Sequence, residues 1–342
     1  MIGDQLDPSS ATLTPVLGSP FVSKSAGGMG ALAAYNGNLY IAHYTSLAGQ
    51  TQLVQFKVDP LTGSVSQAAT FDAGVPADGD NMIRRLYVNS AHKVLYAQFQ
   101  WTVNSFSLAA DGTPKLLNSV QPSTGSVWGF DFMPNGPYAY AAIQNGNPKV
   151  RFQAPQIVLL NVNPDGSLTV NRTLLTLNNS SGLAGDLRID PSGKFVVVTN
   201  GQNNEQISVF AIQGDGSLKE VSGSPFQTGS QMAVQMAFDS TGQFLYLFNN
   251  VEYVPQTETL QTFALNSSTG ELTPVQTLDL PDMMRSAWLQ VDGNFVYVAN
   301  DVSSGLGATI TIYNRDAKTG ELTQASTTNL ADSIGEIDTL HY

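Results

Sequence analysis

One interval governs what this chain can fold into. Glycines close short outer turns, mostly "TG" or "DG", at Gly63, Gly112, Gly166, Gly216, Gly270 and Gly320, spaced by 49, 54, 50, 54 and 50 residues. Each follows a short β-branched or aromatic strand, such as Ile207-Ser208-Val209-Phe210 or Ile310-Thr311-Ile312-Tyr313. The N-terminal DPSSATLTPV runs parallel to SSTGELTPV, with Ala11 at the glycine position, so it reads as a seventh copy. A second turn alternates with the first. Asp190-Pro191-Ser192-Gly193 has Asp at i, Pro presetting φ at i+1 and Gly at i+3, which fits a type I turn. The strand FVVVT follows it. Asp239-Ser240-Thr241-Gly242 before FLYLFN, Met133-Pro134-Asn135-Gly136 before YAYAAI and Asp292-Gly293 before FVYVAN are the same unit, with weaker copies at Asn36-Gly37 and His92-Lys93.

A period near 50 residues with four short strands per unit predicts an all-β fold, a β-propeller of four-stranded antiparallel blades. A sandwich or barrel is the competing all-β reading, but neither repeats at this length. Six complete units run from about Gly28 to Leu330. An outer-type strand at the start and an inner-type strand over Ser333–Leu340 predict a seventh blade closed by both termini, which removes exposed sheet edges. The expectation is one propeller domain over 1–342. Its blades fall at 25–76, 77–122, 123–178, 179–228, 229–280 and 281–330, with the last from 1–24 and 331–342. The seventh blade shows no obvious second strand, so six blades plus tails is the alternative.

Charge and composition narrow the partners. Net charge is -12, from 27 acidic and 15 basic residues, which argues against nucleic acid and anionic membrane as partners. No apolar run approaches a membrane span, and the start MIGDQLDPSS carries no signal-peptide pattern. Zero cysteines exclude disulfides and thiolate chemistry. Few lysines and many Asn, Gln, Ser and Thr lean towards an exported, periplasmic protein whose leader is absent from this chain; a cytoplasmic location is the alternative. A monomer is expected.

DPSGKFVVVTN followed by ISVFAIQGDGSL, and GNFVYVAND followed by ITIYNRDAKTGELT, resemble the lactonase-type seven-bladed β-propellers. That family includes 6-phosphogluconolactonases and carboxymuconate-lactonizing enzymes. The resemblance spans essentially the whole chain and rests on turns and strand cores. It implies a catalytic set: a histidine in GPRH, a glutamate in AEI, and arginines in NRG and PRDF, which would handle protons and hold an anionic substrate. In this sequence GPRH corresponds to SVWG, placing Gly129 at the histidine and Trp128 at the arginine before it. AEI corresponds to GDL, NRG to Asn200-Gly201-Gln202 and PRDF to AVQM, giving Asp186, Gly201 and Val234. Only Asp186 keeps a carboxylate.

Inner strands of a propeller line a central channel, with alternate residues pointing into it. Alignment on the turns puts Gly30, Arg85, Gly129, Asp186, Gln235 and Ser286 at one level. Leu32, Tyr87, Asp131, Arg188, Ala237 and Trp288 share the next, and Glu336 and Asp338 are additions from the tail. Leu86, Phe130, Leu187, Met236 and Leu289 between them fit packing of blade against blade. Asp186 is the candidate catalytic residue, and Arg85, Tyr87, Asp131, Arg188, Gln235 and Trp288 are the ligand-binding candidates. Against this stands a self-satisfied salt-bridge network, since buried charges normally pair. Arg84 and Arg285 fall at motif-arginine positions in other blades.

No metal and no cofactor are expected. His43, His92 and His341 are scattered, with no HxH or HExxH pattern and no GxSxG elbow. Gly27-Gly28-Met29-Gly30 reads as a linker into an inner strand. Asp78-Gly79-Asp80-Asn81 lacks EF-hand spacing and reads as an acidic turn. The loops 145–155, with Phe152, and 252–258, with Tyr253, are expected to rim one face. Three functions follow: a propeller binding a small polar or anionic ligand in the channel or a protein on a loop face; a lactone hydrolase, 6-phosphogluconolactonase-like, with relocated residues; or a structural, envelope-associated propeller.

Overall fold

Asp190 shows why the inner turns form. Gly193, with φ of 71°, donates its N–H to Asp190 O at 2.8 Å. One Asp190 carboxylate oxygen accepts from the N–H groups of Lys194 (2.8 Å) and Phe195 (2.6 Å). The other accepts from Ser192 N at 2.9 Å and from the Ser192 hydroxyl. The aspartate thereby satisfies the donors that a reversing chain leaves unpaired. Asp239 repeats the device, accepting from Phe244 N at 3.0 Å, and it also pairs with the buried guanidinium of Arg315 at 3.3 Å.

The structure is a computed structural model. It describes residues 2, 4–21, 28–44, 51–74, 83–144, 155–177, 185–200, 206–229, 232–250, 258–280, 287–301, 307–330 and 338–339. Among these, every regular element is a strand. At the N-terminus β1 (Asp4–Asp7) pairs with β2 (Thr12–Pro15) across a turn in which Ala11 has φ of 53°. The first sheet is β3 (Gly28–Tyr35), β4 (Asn38–Tyr44), β5 (Gln52–Val58) and β6 (Val65–Asp72). The second is β7 (Arg85–Asn89), β8 (Val94–Gln98), β9 (Val103–Leu108) and β10 (Pro114–Val120). The third is β11 (Ser126–Phe132), β12 (Tyr138–Gln144), β13 (Gln156–Val162) and β14 (Leu168–Thr176). The fourth is β15 (Leu187–Ile189), β16 (Phe195–Thr199), β17 (Gln206–Ile212) and β18 (Leu218–Glu220), with β19 (Phe226–Gln227) also pairing β17. The fifth is β20 (Met232–Phe238), β21 (Phe244–Asn250), β22 (Glu258–Leu265) and β23 (Leu272–Leu280). The sixth is β24 (Ala287–Asp292), β25 (Phe295–Asp301), β26 (Ala308–Arg315) and β27 (Leu322–Leu330).

Within each sheet the strands lie in sequence order and pair antiparallel, the meander of a propeller blade. The described chain thus holds six complete blades plus tails, the alternative stated above. Asp4–Asp7 forms the first strand of the N-terminal ribbon. Most of Ser333–Leu340 lies outside the described residues. The chain divides into two units, each considered by itself: 1–121 with 163–168 and 335–342, and 122–162 with 169–334.

The second strands β16 and β21 are apolar on both sides because each is sandwiched between two sheets. Val196 and Val198 pack with Tyr140, Ile157 and Leu159 of the third sheet. Phe195 and Val197 pack with Leu245, Leu247 and Phe263 of the fifth. Phe244, Tyr246 and Phe248 pack with Leu289, Val296 and Val298 of the sixth. In the first unit, Tyr40, Leu53 and Leu95 join one core with Leu86 and Phe106.

The packing explains the glycine period. A side chain at Gly320, which has φ of 75°, would place its Cβ 2.3 Å from the Phe244 ring, and one at Gly166 would fall 2.4 Å from Val94. Two residues after each of those contacts, a buried tyrosine donates its hydroxyl to the same glycine's carbonyl. Tyr246 reaches Gly320 O at 3.3 Å and Tyr96 reaches Gly166 O at 2.8 Å. Tyr40 does so to Gly112 O and Tyr140 to Gly216 O, at 2.6 and 3.1 Å. Burial pushes the Tyr246 hydroxyl up to about 12, so these groups stay neutral donors.

Candidate functional site

In the second unit, inner-strand polar side chains reach across to the next sheet. Asp186, 3% exposed, stands immediately before β15. Its Oδ1 accepts from Leu187 N at 2.9 Å, and its Oδ2 accepts from Met236 N at 2.9 Å in β20. Arg188 lies two residues on, on the same face of the strand. Its Nε donates to Met236 O at 3.0 Å, its Nη1 to Leu187 O at 3.0 Å, and Nη1 also pairs with Asp186 Oδ1 at 3.1 Å. Carboxylate and guanidinium therefore hold the N–H and the C=O of one residue, Met236. They stand in for the exchange that a neighbouring strand makes in a ladder. Inner strands lack a backbone neighbour on that side, and these buried groups need partners.

The same device recurs on either side. Asp131 Oδ2 accepts from Ile189 N at 2.9 Å, joining β11 to β15. Gln235 Oε1 accepts from Leu289 N at 2.8 Å, joining β20 to β24. In the first unit, Asp338 Oδ2 accepts from Ala34 N of β3 at 2.8 Å. Of the sequence-derived candidates, Asp131, Asp186, Arg188 and Gln235 thus form a continuous series of contacts between successive inner strands. Trp288 is partly buried in β24, beside the Leu289 that Gln235 binds. Arg85 and Tyr87 belong to the first unit, where the Tyr87 hydroxyl donates to Gln98 Oε1 at 3.0 Å. The intervening Leu86, Phe130, Leu187, Met236 and Leu289 are all buried, as packing residues should be.

Space explains the glycine at position 129. A Cβ at Gly129 would lie 2.5 Å from Leu187 N and 2.7 Å from Leu187 Cβ. The inner strands of the third and fourth sheets meet there too closely for any side chain. Beside it, β11 pairs with β12 as Val127↔Ile143 and then Gly129↔Ala142, so Trp128 is an extra, bulged residue. Val234 is bulged in the same way, between Ala233↔Asn249 and Gln235↔Phe248. Sequence reading missed both bulges, whose only trace was one residue more than strict alternation allows.

His43 is 1% exposed, and neither ring nitrogen has a hydrogen-bond partner. Burial holds its pKa below the usual histidine value. It is a packed, neutral ring. His92 lies in a turn, its N–H donating to Asn89 Oδ1 at 3.2 Å. Among the described residues no group of His, Asp and Glu has metal-binding geometry. Gly201, Arg285, Ser286, Glu336, His341, the Asp78–Asn81 turn and the loop residues Phe152 and Tyr253 lie outside the described residues.

Comparison with known proteins gives the family of the fold. The profile of the family described as "Lactonase, 7-bladed beta-propeller" matches residues 130–288 and 229–335, together more than half of the chain. A search of curated protein sequences returns no match. Among solved structures, a protein from Lactobacillus plantarum aligns with TM-score 0.73 at 19% identity, covering 97% of this chain and 93% of that one. A candidate 6-phosphogluconolactonase from Bacteroides uniformis aligns with TM-score 0.73 at 17% identity, covering 97% and 92%. The periplasmic gluconolactonase of Pseudomonas aeruginosa aligns with TM-score 0.69 at 16% identity, covering 97% and 93%. At these identities the likeness is one of fold.

Proposed function

Because this chain belongs to the lactonase family of seven-bladed β-propellers, we propose that it is a small-ligand-binding member that does not open lactones by the family's acid–base route. One observation carries the reading: both oxygens of Asp186 accept hydrogen bonds from backbone N–H groups, and Arg188 pairs with one of them. A general base needs a lone pair within reach of the proton it takes. Asp186 is 3% exposed and directs its carboxylate at Met236 and Leu187 instead. The closed approach at Gly129 supports the same conclusion, since it leaves no room for a proton-handling side chain. Fold alone does not bring the activity with it.

The test is hydrolysis of D-glucono-1,5-lactone and 6-phosphogluconolactone, followed by pH-stat, with wild type and Asp186→Asn. Neither protein is expected to raise the rate above buffer. Turnover by wild type that disappears in a folded Asp186→Asn variant would overturn the reading.

A further inference from the structure

The hairpin between β3 and β4 turns on Asn36 and Gly37, whose φ angles are 47° and 70°. Left-handed residues at both positions between the paired Tyr35 and Asn38 make a type I′ turn, which Asn-Gly suits best. The carbonyls of the turn are held. Gly37 O accepts from Val58 N at 3.0 Å. Buried Asn38 donates through Nδ2 to Tyr35 O at 3.2 Å and to Asn36 O at 2.9 Å, and its Oδ1 accepts from Gln55 Nε2 at 2.8 Å. The Gly37 nitrogen and the Asn36 side chain stay outside this net. Among the described residues, neither Gly37 N nor the exposed Asn36 carboxamide makes a hydrogen bond. A Cβ built on Gly37 would meet nothing within 4 Å, so the space beside that nitrogen is open.

An asparagine carboxamide and the backbone nitrogen that follows it can react with one another. The Gly37 nitrogen, once it has given its proton to base, attacks Asn36 Cγ. The N–Cγ bond forms, the Cγ–Nδ2 bond breaks, and ammonia leaves with its third hydrogen drawn from solvent. One water then opens the resulting succinimide at either carbonyl and yields aspartate or isoaspartate. Glycine favours the step because no side chain shields its nitrogen. Other Asn-Gly pairs of the chain are guarded. Gly136 N, after Asn135, already donates to Met133 O at 3.2 Å. Asn200 is 6% exposed, and its Nδ2 donates to Ser208 Oγ at 2.8 Å. The pair at Asn145 lies outside the described residues.

We propose that Asn36 is a site of covalent modification, converted to isoaspartate or aspartate through attack by Gly37, ahead of Asn135 and Asn200. Either product adds a negative charge to the turn. Isoaspartate also routes the main chain through the former side chain, which lengthens it by a methylene. The Asn36 carbonyl that Asn38 grips then becomes part of a carboxylate off the main chain. Asn38 is 2% exposed, and a Cβ at Gly112 would lie 2.5 Å from its Nδ2. A shift of Asn38 therefore reaches the outer turn of the second sheet.

The experiment ages the full chain in mildly alkaline buffer at body temperature, once folded and once in urea, and maps its peptides by mass spectrometry. Modification reads as a gain of about 1 Da, and chromatography separates the isoaspartate and aspartate forms. In the folded chain the Asn36 peptide should convert at least about threefold faster than the Asn135 peptide, whose attacking N–H must first release its hydrogen bond. It should outpace the Asn200 peptide by about tenfold or more, because that carboxamide is buried and bonded. In urea these rates should converge. Asn36→Gly keeps a favoured type I′ pair and removes the carboxamide. Ageing should lower the melting temperature of wild type more than that of Asn36→Gly. The proposal would be overturned by no conversion at Asn36 in the folded chain, by conversion at Asn135 or Asn200 as fast as at Asn36, or by equal ageing losses in wild type and Asn36→Gly.

Discussion

Replacing Asp186 by alanine separates a structural carboxylate from a catalytic one. The change strips the acceptor from two buried N–H groups, those of Leu187 and Met236, and leaves Arg188 without its anion. Each orphaned buried donor costs about 1–3 kcal/mol. Removing one member of a buried ion pair costs about 3–5 kcal/mol in all. Arg188 retains 20% side-chain exposure against 1% for Asp186, so part of its charge can regain water. A net loss of about 3–5 kcal/mol is therefore expected. For 342 residues the unfolding entropy is about 0.7 kcal/mol/K, which converts this to a melting temperature lower by about 4–7 °C. Differential scanning calorimetry on wild type, Asp186→Ala, Arg188→Ala and the double variant reads it directly. The double variant should show a coupling of about 0.5–3 kcal/mol, because the two groups share Met236. A catalytic carboxylate held against its own stability would behave oppositely, and its removal would leave stability unchanged or raised. Melting of Asp186→Ala within about 1 °C of wild type would refute the clamp.

Introducing a histidine at position 129 should fail. Even Gly129→Ala puts a Cβ at 2.5 Å from Leu187 N. A loss of at least about 1–3 kcal/mol is expected in urea unfolding, and Gly129→His should lose more, without gaining lactone turnover. Stability should also depend on His43. Its folded pKa is depressed below 6.5 by burial, so the unfolded chain binds the proton more readily. The His43 contribution is complete above about pH 6.5 and is lost as pH falls below that value towards the folded pKa. Melting temperature measured from pH 7.5 down to 5 should fall less steeply in His43→Leu than in wild type, and identical slopes would count against this account.

Much of the fold is legible residue by residue. Asp190-Pro191-Ser192-Gly193 announces its turn because the bonds it makes run to Ser192, Lys194 and Phe195, all within five residues. The candidate site is legible only as a set of residue types. Asp186 and Arg188 two apart on one strand predict side chains on one face, and their ion pair was foreseeable. That they would grip Met236, 50 residues on, was not. The bulge at Trp128 depends on the register of β11 against β12, which no local pattern specifies.

By itself, then, the sequence determines the repeat: turns whose donors are satisfied locally, glycines where φ is positive, and apolar second strands. Only the tertiary structure decided what the polar inner-strand residues do. Asp131, Asp186, Arg188 and Gln235 each bond a backbone group one blade further along, reached only after neighbouring sheets pack. Whether a carboxylate there is free to act or is consumed in holding two strands together depends on that packing distance. At Gly129 and Asp186 the strands approach so closely that the side chain is absent at one position and fully engaged at the other.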